Sequence, residues 1–117
     1  MAAIGVGGAL GASVRWGVNE LVPATDLPWS TFLVNIVGCA LLALVDWSTI
    51  RADLRAAAGT GFCGGLTTFS TFAVEAVVLA DDGRLGVATT YVVASTLVGL
   101  GAYLAVRAWL VKRVRAT

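Results

Sequence analysis

Four long apolar stretches, separated by polar linkers of only a few residues, fill almost all of this 117-residue chain and dictate the solvent it must fold in. They run over about residues 2–22, 30–50, 56–80 and 86–111. A bilayer core of roughly 30 Å is crossed by about 20 apolar residues rising about 1.5 Å each. Each stretch is therefore long enough to span a membrane, and the four together leave no room for a soluble domain. The expectation is an all-α membrane protein, a single domain of four transmembrane helices over residues 1–117. Composition agrees, with 58% hydrophobic and only 13% charged residues and a mean hydropathy of +0.88.

The linkers have the chemistry of turns. The first, P-A-T-D-L-P between Pro23 and Pro28, carries two prolines that a helix interior resists; the second, around Arg51 to Arg55, is charged; the third is D-D-G-R. Trp29, Trp47 and Trp109 fall near span ends, where an indole keeps its ring apolar and its N–H wet. The first stretch has no basic n-region and no clean cleavage site, so it reads as a mature helix rather than a signal peptide.

Several function classes are excluded on inventory. There is no histidine, and two isolated cysteines and seven scattered carboxylates supply no Ser-His-Asp triad, zinc site or C-x-x-C pair. The chain does not read as an enzyme. Its net charge is +1, and the basic cluster Lys112, Arg113, Arg115 is too short for a nucleic-acid groove; it reads as an anchor at the lipid surface. Cys39 and Cys63 lie inside apolar spans and read as small hydrophobes. An even number of spans gathers Arg51, Arg55, Arg107, Lys112, Arg113 and Arg115 on the side of the termini, against Arg84 and at most Arg15 opposite. The positive-inside rule then places the termini in the cytoplasm.

The third stretch is the anomaly. Its G-T-G-F-C-G-G-L-T-T-F-S-T-F places four glycines in seven residues and then four hydroxyls in the next six. Interior glycines weaken a helix by about 0.5–1 kcal/mol each relative to alanine, so the third helix is expected to be broken near the midplane. Broken helices at that depth build sites: freed carbonyls hold cations, and the N-terminus of the following half-helix favours anions. Thr67 or Thr68 can cap that second half, and no acid lies in the break, which tilts the reading toward an anion. A packing kink satisfied by threonine hydroxyls is the competing explanation.

Around it, Phe69 and Phe72 share a face at i, i+3, with Ser70 and Thr71 beside them. Their positive ring edges could support a dehydrated anion, or the rings could simply pack. Thr31, Asn35 and Gly38 share a face of the second span, where Asn35 either donates to an ion or bonds another helix. Arg15 either attracts anions or pairs with a neighbour to fasten helices; Glu75 belongs near a vestibule; Asp46, near a span end, snorkels. Gly7-x-x-x-Gly11, Gly61-x-x-x-Gly65 and the pair Gly99, Gly101 have close-packing spacing. Four helices enclose little hydrated space alone, so an oligomer is expected.

The segments G-G-A-L-G-A-S-V-R over residues 7–15, T-F-L-V-N over 31–35 and G-F-C-G-G-L-T-T-F-S-T-F over 61–72 resemble the Fluc fluoride channels, also called the CrcB family. The resemblance implies a passive fluoride channel in the bacterial plasma membrane that confers fluoride resistance, built as an antiparallel dimer with two pores and a central sodium ion. By matching position, the carbonyls of Gly64 and Thr67 would hold sodium, Phe69 and Phe72 would line the fluoride path with Asn35 as donor, and Thr31, Ser70 and Thr71 would continue it. Tyr91 resembles the family's fourth-span tyrosine near the pore and Glu75 its vestibule carboxylate. The charge bias departs from a chain that inserts both ways, so an opposite-facing paralogue is the expected partner, with an identical copy the alternative. A small multidrug exporter would need a membrane-embedded carboxylate for proton exchange, and the first span's only acid is Glu20 near its end. A non-conducting structural subunit is the other rival.

Overall fold

Helices account for nearly all of the backbone in a computed structural model, which describes residues 1–23 and 25–116. Ala24, inside the expected first linker, and Thr117, the last residue of the expected domain, lie outside the described residues. The order is α1 (Ala2–Leu21), α2 (Trp29–Trp47), α3 (Ala52–Ala56), a π-helical segment (Ala57–Cys63), α4 (Gly64–Leu66), α5 (Phe69–Asp81) and α6 (Leu85–Arg115), with no strand among the described residues.

Local chemistry sets the boundaries. Val22 turns extended ahead of Pro23, as a residue before proline prefers, and α2 begins directly after Pro28. The second helix stops at Trp47, three residues short of the expected end: Ser48 is extended, and its hydroxyl donates to the Val45 carbonyl at 2.6 Å, competing with a further helical turn. The third helical stretch begins at Ala52, four residues early, with Asp53 in its first turn, where a carboxylate complements the helix dipole. The chain leaves α5 through a Schellman turn. Gly83, at φ +77°, donates to the Ala80 carbonyl, and Arg84 to that of Leu79, each at 3.0 Å. α6 runs to Arg115, past the expected 111, with Lys112, Arg113 and Arg115 against the negative end of its dipole.

Among the described residues, three stretches are long and apolar enough to cross a membrane: Trp29–Trp47, Ala52–Asp81 and Leu85–Arg115. α1 has the length but carries Arg15, Asn19 and Glu20, which lower its hydropathy. Much of the surface is apolar, including Trp16, Leu21, Leu85 and Leu97 at more than 60% exposure. Water would not tolerate such a coat, and lipid is its natural solvent.

Packing divides into two groups, bridged by α2 against the π-helical segment. α1 lies against the π-helical segment and α4, while α2 and α5 pack on α6. The first group is a backbone-to-backbone seam. A Cβ at Gly7 would strike the Ala57 carbonyl oxygen, one at Gly11 that of Phe62, one at Gly65 that of Gly8, and one at Gly61 would lie 2.7 Å from the Ile4 oxygen. The two G-x-x-x-G motifs therefore close on each other within one chain. Gly101, by contrast, faces open space. The second group builds a small core of Leu79, Ala88 and Tyr91, against which Phe32 and Phe72 pack. At the far end Tyr103 donates to Asp46 Oδ2 at 2.9 Å, so that carboxylate has a partner on α6 rather than merely reaching for water.

Candidate functional site

Between α4 and α5 the backbone of Thr67 (φ −79°, ψ 159°) and Thr68 (φ −147°, ψ 118°) is extended. Thr68 caps α5, its Oγ1 accepting the Thr71 N–H at 3.2 Å and donating to Thr71 Oγ1 at 3.0 Å; Ser70 Oγ lies 3.3 Å away. Thr67 closes the half-helix before it, its N–H (3.0 Å) and Oγ1 (2.9 Å) both donating to the Cys63 carbonyl. The N–H of Thr68, which an uninterrupted helix would aim at Gly64, instead donates to Asn35 Oδ1 at 2.8 Å. Asn35 Nδ2 returns a bond to the Thr68 carbonyl at 3.1 Å. The amide of Asn35 thus pairs with this residue as a neighbouring strand's peptide would. From the other side, Arg15 Nη1 donates to the Thr67 carbonyl at 3.0 Å, so Arg15 fastens α1 to the extended pair.

A groove of about 540 Å³ opens along this element. Asn35, Gly64, Thr67, Phe69 and Phe72 all line it, together with Ser95 from α6. The Phe69 and Phe72 centroids are 6.0 Å apart with rings tilted by 43°, and Phe69 is 81% exposed. Gly64 presents bare backbone, since a Cβ there would meet nothing within 4 Å. Opposite, a Cβ at Gly38 would strike the Thr67 methyl, so α2 approaches the extended pair only because that position has no side chain.

Thr31, Glu75 and Tyr91 line no part of this groove. They form their own cluster, in which Thr31 Oγ1 donates to Glu75 Oε1 at 2.8 Å and Tyr91 OH donates to Oε2 at 2.9 Å. Tyr91 also stacks against Phe72 at 5.2 Å, which joins the cluster to the groove's end. Glu75 in turn faces a second cavity of about 490 Å³, rimmed by Asp26, Asp82 and Arg84. Ser70 and Thr71 are exposed at the start of α5, bonded only locally to Thr68.

Sequence reasoning passed over Ser95. Its Oγ is a buried hydroxyl without a hydrogen-bond partner among the described residues, and it lines the groove. The signal was present: Ser95 lies four residues after Tyr91, on the same face of α6. Chemically, the groove combines neutral carbonyl oxygens, a helix N-terminus, an unpartnered hydroxyl and two ring systems, with a guanidinium behind them and no carboxylate. Such a set can hold a small ion.

Comparison with known proteins agrees with that chemistry. A family profile described as "CrcB-like protein, Camphor Resistance (CrcB)" matches residues 2–107. The chain is 45% identical over 108 residues to "Fluoride-specific ion channel FluC 2" of Rhodococcus jostii (strain RHA1), covering 92% of this chain and 90% of the relative. It is 46% identical over 100 residues to "Fluoride-specific ion channel FluC 1" of Nocardia farcinica (strain IFM 10152), covering 83% and 70%. "Fluoride-specific ion channel FluC 1" of Halobacterium salinarum (strain ATCC 700922 / JCM 11081 / NRC-1) is 42% identical over 108 residues, covering 92% and 88%.

Proposed function

The chain belongs to the CrcB family, and from that membership we propose that it is a fluoride-selective passive channel. It lets fluoride leave the cytoplasm, confers fluoride resistance, and works as an antiparallel dimer around a central sodium ion. It is a multi-pass membrane protein and not an enzyme. In this reading α1 crosses the bilayer with the three more apolar stretches, making four spans, and the extended Thr67–Thr68 pair lies near the midplane.

The observation that carries the reading is the groove, where the N-terminal end of α5, the rings of Phe69 and Phe72 and the Ser95 hydroxyl meet. Fluoride is small and strongly hydrated, so a path must replace its water with several weak donors in series, since one deep trap would hold it. A helix N-terminus, ring edges, a hydroxyl and the second N–H of the Asn35 amide are donors of that weak kind. Thr31, Tyr91 and Glu75, together with Ser70 and Thr71, continue the polar track toward the second cavity.

An open groove beside a ring as exposed as Phe69 calls for a cover, and a second subunit in inverted orientation supplies one. The residues present fit a sodium ion there. Gly64 and Thr67 offer neutral carbonyl oxygens, the ligands a hard cation prefers; the Gly64 carbonyl loses its ladder donor to Asn35, and nothing crowds that position. When bound, the ion supplies a positive centre tying the carbonyls of the two subunits together. Six basic residues on the side of the termini against at most two opposite support cytoplasmic termini and fixed insertion in the plasma membrane, with an opposite-facing paralogue favoured as partner over an identical copy.

Fluoride efflux from liposomes holding the purified protein, with the voltage clamped by a potassium ionophore, tests the reading. Rapid efflux is the expected result. Drug movement coupled to protons would support an exporter instead, and silence in both assays, with the paralogue present or absent, would leave only a structural subunit.

A further inference from the structure

A guanidinium within a membrane helix needs a partner, and Arg15 has no carboxylate: the only ion pair among the described residues joins Arg51 to Asp53. What Arg15 touches is the Thr67 carbonyl, 52 residues away in sequence. That carbonyl closes the half-helix ending at Leu66, whose dipole presents its negative end there, so the cation is electrostatically at home. The extended pair has four backbone polar groups, and each has a partner within the same chain. Thr67 N–H donates to Cys63; the Thr67 carbonyl accepts from Arg15; Thr68 N–H donates to Asn35 Oδ1, and the Thr68 carbonyl accepts from Nδ2. In hydrocarbon an irregular backbone persists only where such groups are satisfied. Here α1, α2 and the preceding turn satisfy all of them.

We propose that Arg15 is a positioning residue: it holds the Thr67 carbonyl and, with Asn35, makes the extended pair self-sufficient in a single chain. A carbonyl oxygen has two lone pairs, so Thr67 retains one while bonded to Arg15. The sodium ion of the proposed function then joins two subunits without having to create the irregular backbone they share. The placement of α1 and the extended pair in the bilayer, and this last clause, rest on the proposed function; the clamp itself stands on the hydrogen bonds.

The test is backbone amide exchange at Thr67 and Thr68 in the purified full-length protein, in sodium and in N-methylglucamine at equal ionic strength, with the mass of the complex followed in parallel. Wild type is expected to exchange equally slowly in both. Arg15→Gln, too short to reach the Thr67 oxygen, should exchange about 10- to 100-fold faster, as expected for loss of a charged hydrogen bond. Arg15→Lys, which restores a cationic donor, should recover most of the protection. Wild-type exchange that accelerates tenfold or more on sodium removal, at unchanged mass, would overturn the proposal, and so would Arg15→Gln exchanging like wild type. Should Arg15→Gln fail to fold, the wild-type sodium comparison and Arg15→Lys still decide. Fluoride efflux is scored separately, so the expected exchange pattern without fluoride movement would retain the clamp and reject the channel.

Discussion

Asn35→Asp keeps the size of the side chain and its acceptor, removes its donor and adds a charge, and each change acts on a different measurable. The Thr68 N–H, now 2.8 Å from Oδ1, still finds an oxygen. The Thr68 carbonyl, held by Nδ2 at 3.1 Å, faces a second carboxylate oxygen instead. Thr68 is 8% exposed, and leaving a buried acceptor unpaired costs about 1–3 kcal/mol. An anion entering the groove meets a separate penalty, since two like unit charges about 5 Å apart repel by about 3 kcal/mol at an effective dielectric near 20. That second term alone lowers flux roughly 100-fold. Asn35→Ser is the control: it gives up both bonds to Thr68 without adding charge, so it should lose stability without the electrostatic penalty on flux. The assay is ionophore-clamped fluoride efflux, with thermal unfolding in detergent and the mass of the complex read on the same samples. Flux of Asn35→Asp within about threefold of wild type would refute the placement of Asn35 beside the path. Wild-type stability in Asn35→Ser would refute its hold on Thr68.

Phe69→Ile removes a ring edge from a side chain that is 81% exposed in one chain, so the helices should be unaffected while efflux falls about tenfold or more. Gly65→Ala drives a Cβ into the Gly8 carbonyl oxygen, where two backbones meet and neither can yield, and should lower stability by about 1–3 kcal/mol or more in thermal unfolding. Gly101→Ala, facing open space, should leave it unchanged. Tyr91→Phe strips one of the two donors from Glu75, and loss of this hydrogen bond should lower stability by about 0.5–1.5 kcal/mol, read as a drop in Tm with Thr31 still bonded. A tag on the C-terminus, probed in cells lacking any paralogue, should be found on the cytoplasmic face alone; equal labelling of both faces would refute fixed insertion.

The helical stretches were legible because apolar length is a local property, and their ends were less so because single side chains decide them. Ser48 ends α2 by bonding back to Val45, and Asp53 starts the next helix early. The glycines and threonines of residues 59–72 marked the irregular segment, but which residues are extended depends on Asn35, 33 positions away from Thr68. Periodicity placed Asn35 on a face and could not say that its amide pairs with a peptide. Nor could it distinguish an Arg15 that draws in anions from one that fastens helices, because the acceptor is a backbone carbonyl and leaves no mark in the sequence. The resemblance puts Thr31 and Tyr91 on the expected fluoride path and Glu75 in its vestibule; that both hydroxyls donate to Glu75 follows from the packing of α2 and α5 on α6.

One spacing connects the scaffold to the site. Gly7, Gly11 and Arg15 follow one another at i, i+4 and so share a face of α1. Along that face the first two glycines admit the backbone of the third stretch, near Ala57 and then near Phe62 and Leu66, and the third position reaches Thr67. Asn35 and Gly38, at i, i+3 on α2, repeat the device from the other side: Gly38 admits the Thr67 methyl, and Asn35 takes up the Thr68 peptide. Each helix thus brings its polar residue to the extended pair by way of a glycine that lets the backbones close. A Cβ at Gly11 or Gly38 would act at a distance, moving Arg15 or Asn35 off its bond without altering either residue. The glycines of this chain therefore serve the site as well as the seam, and α1 can carry a guanidinium that lowers its own hydropathy because the Thr67 carbonyl receives it.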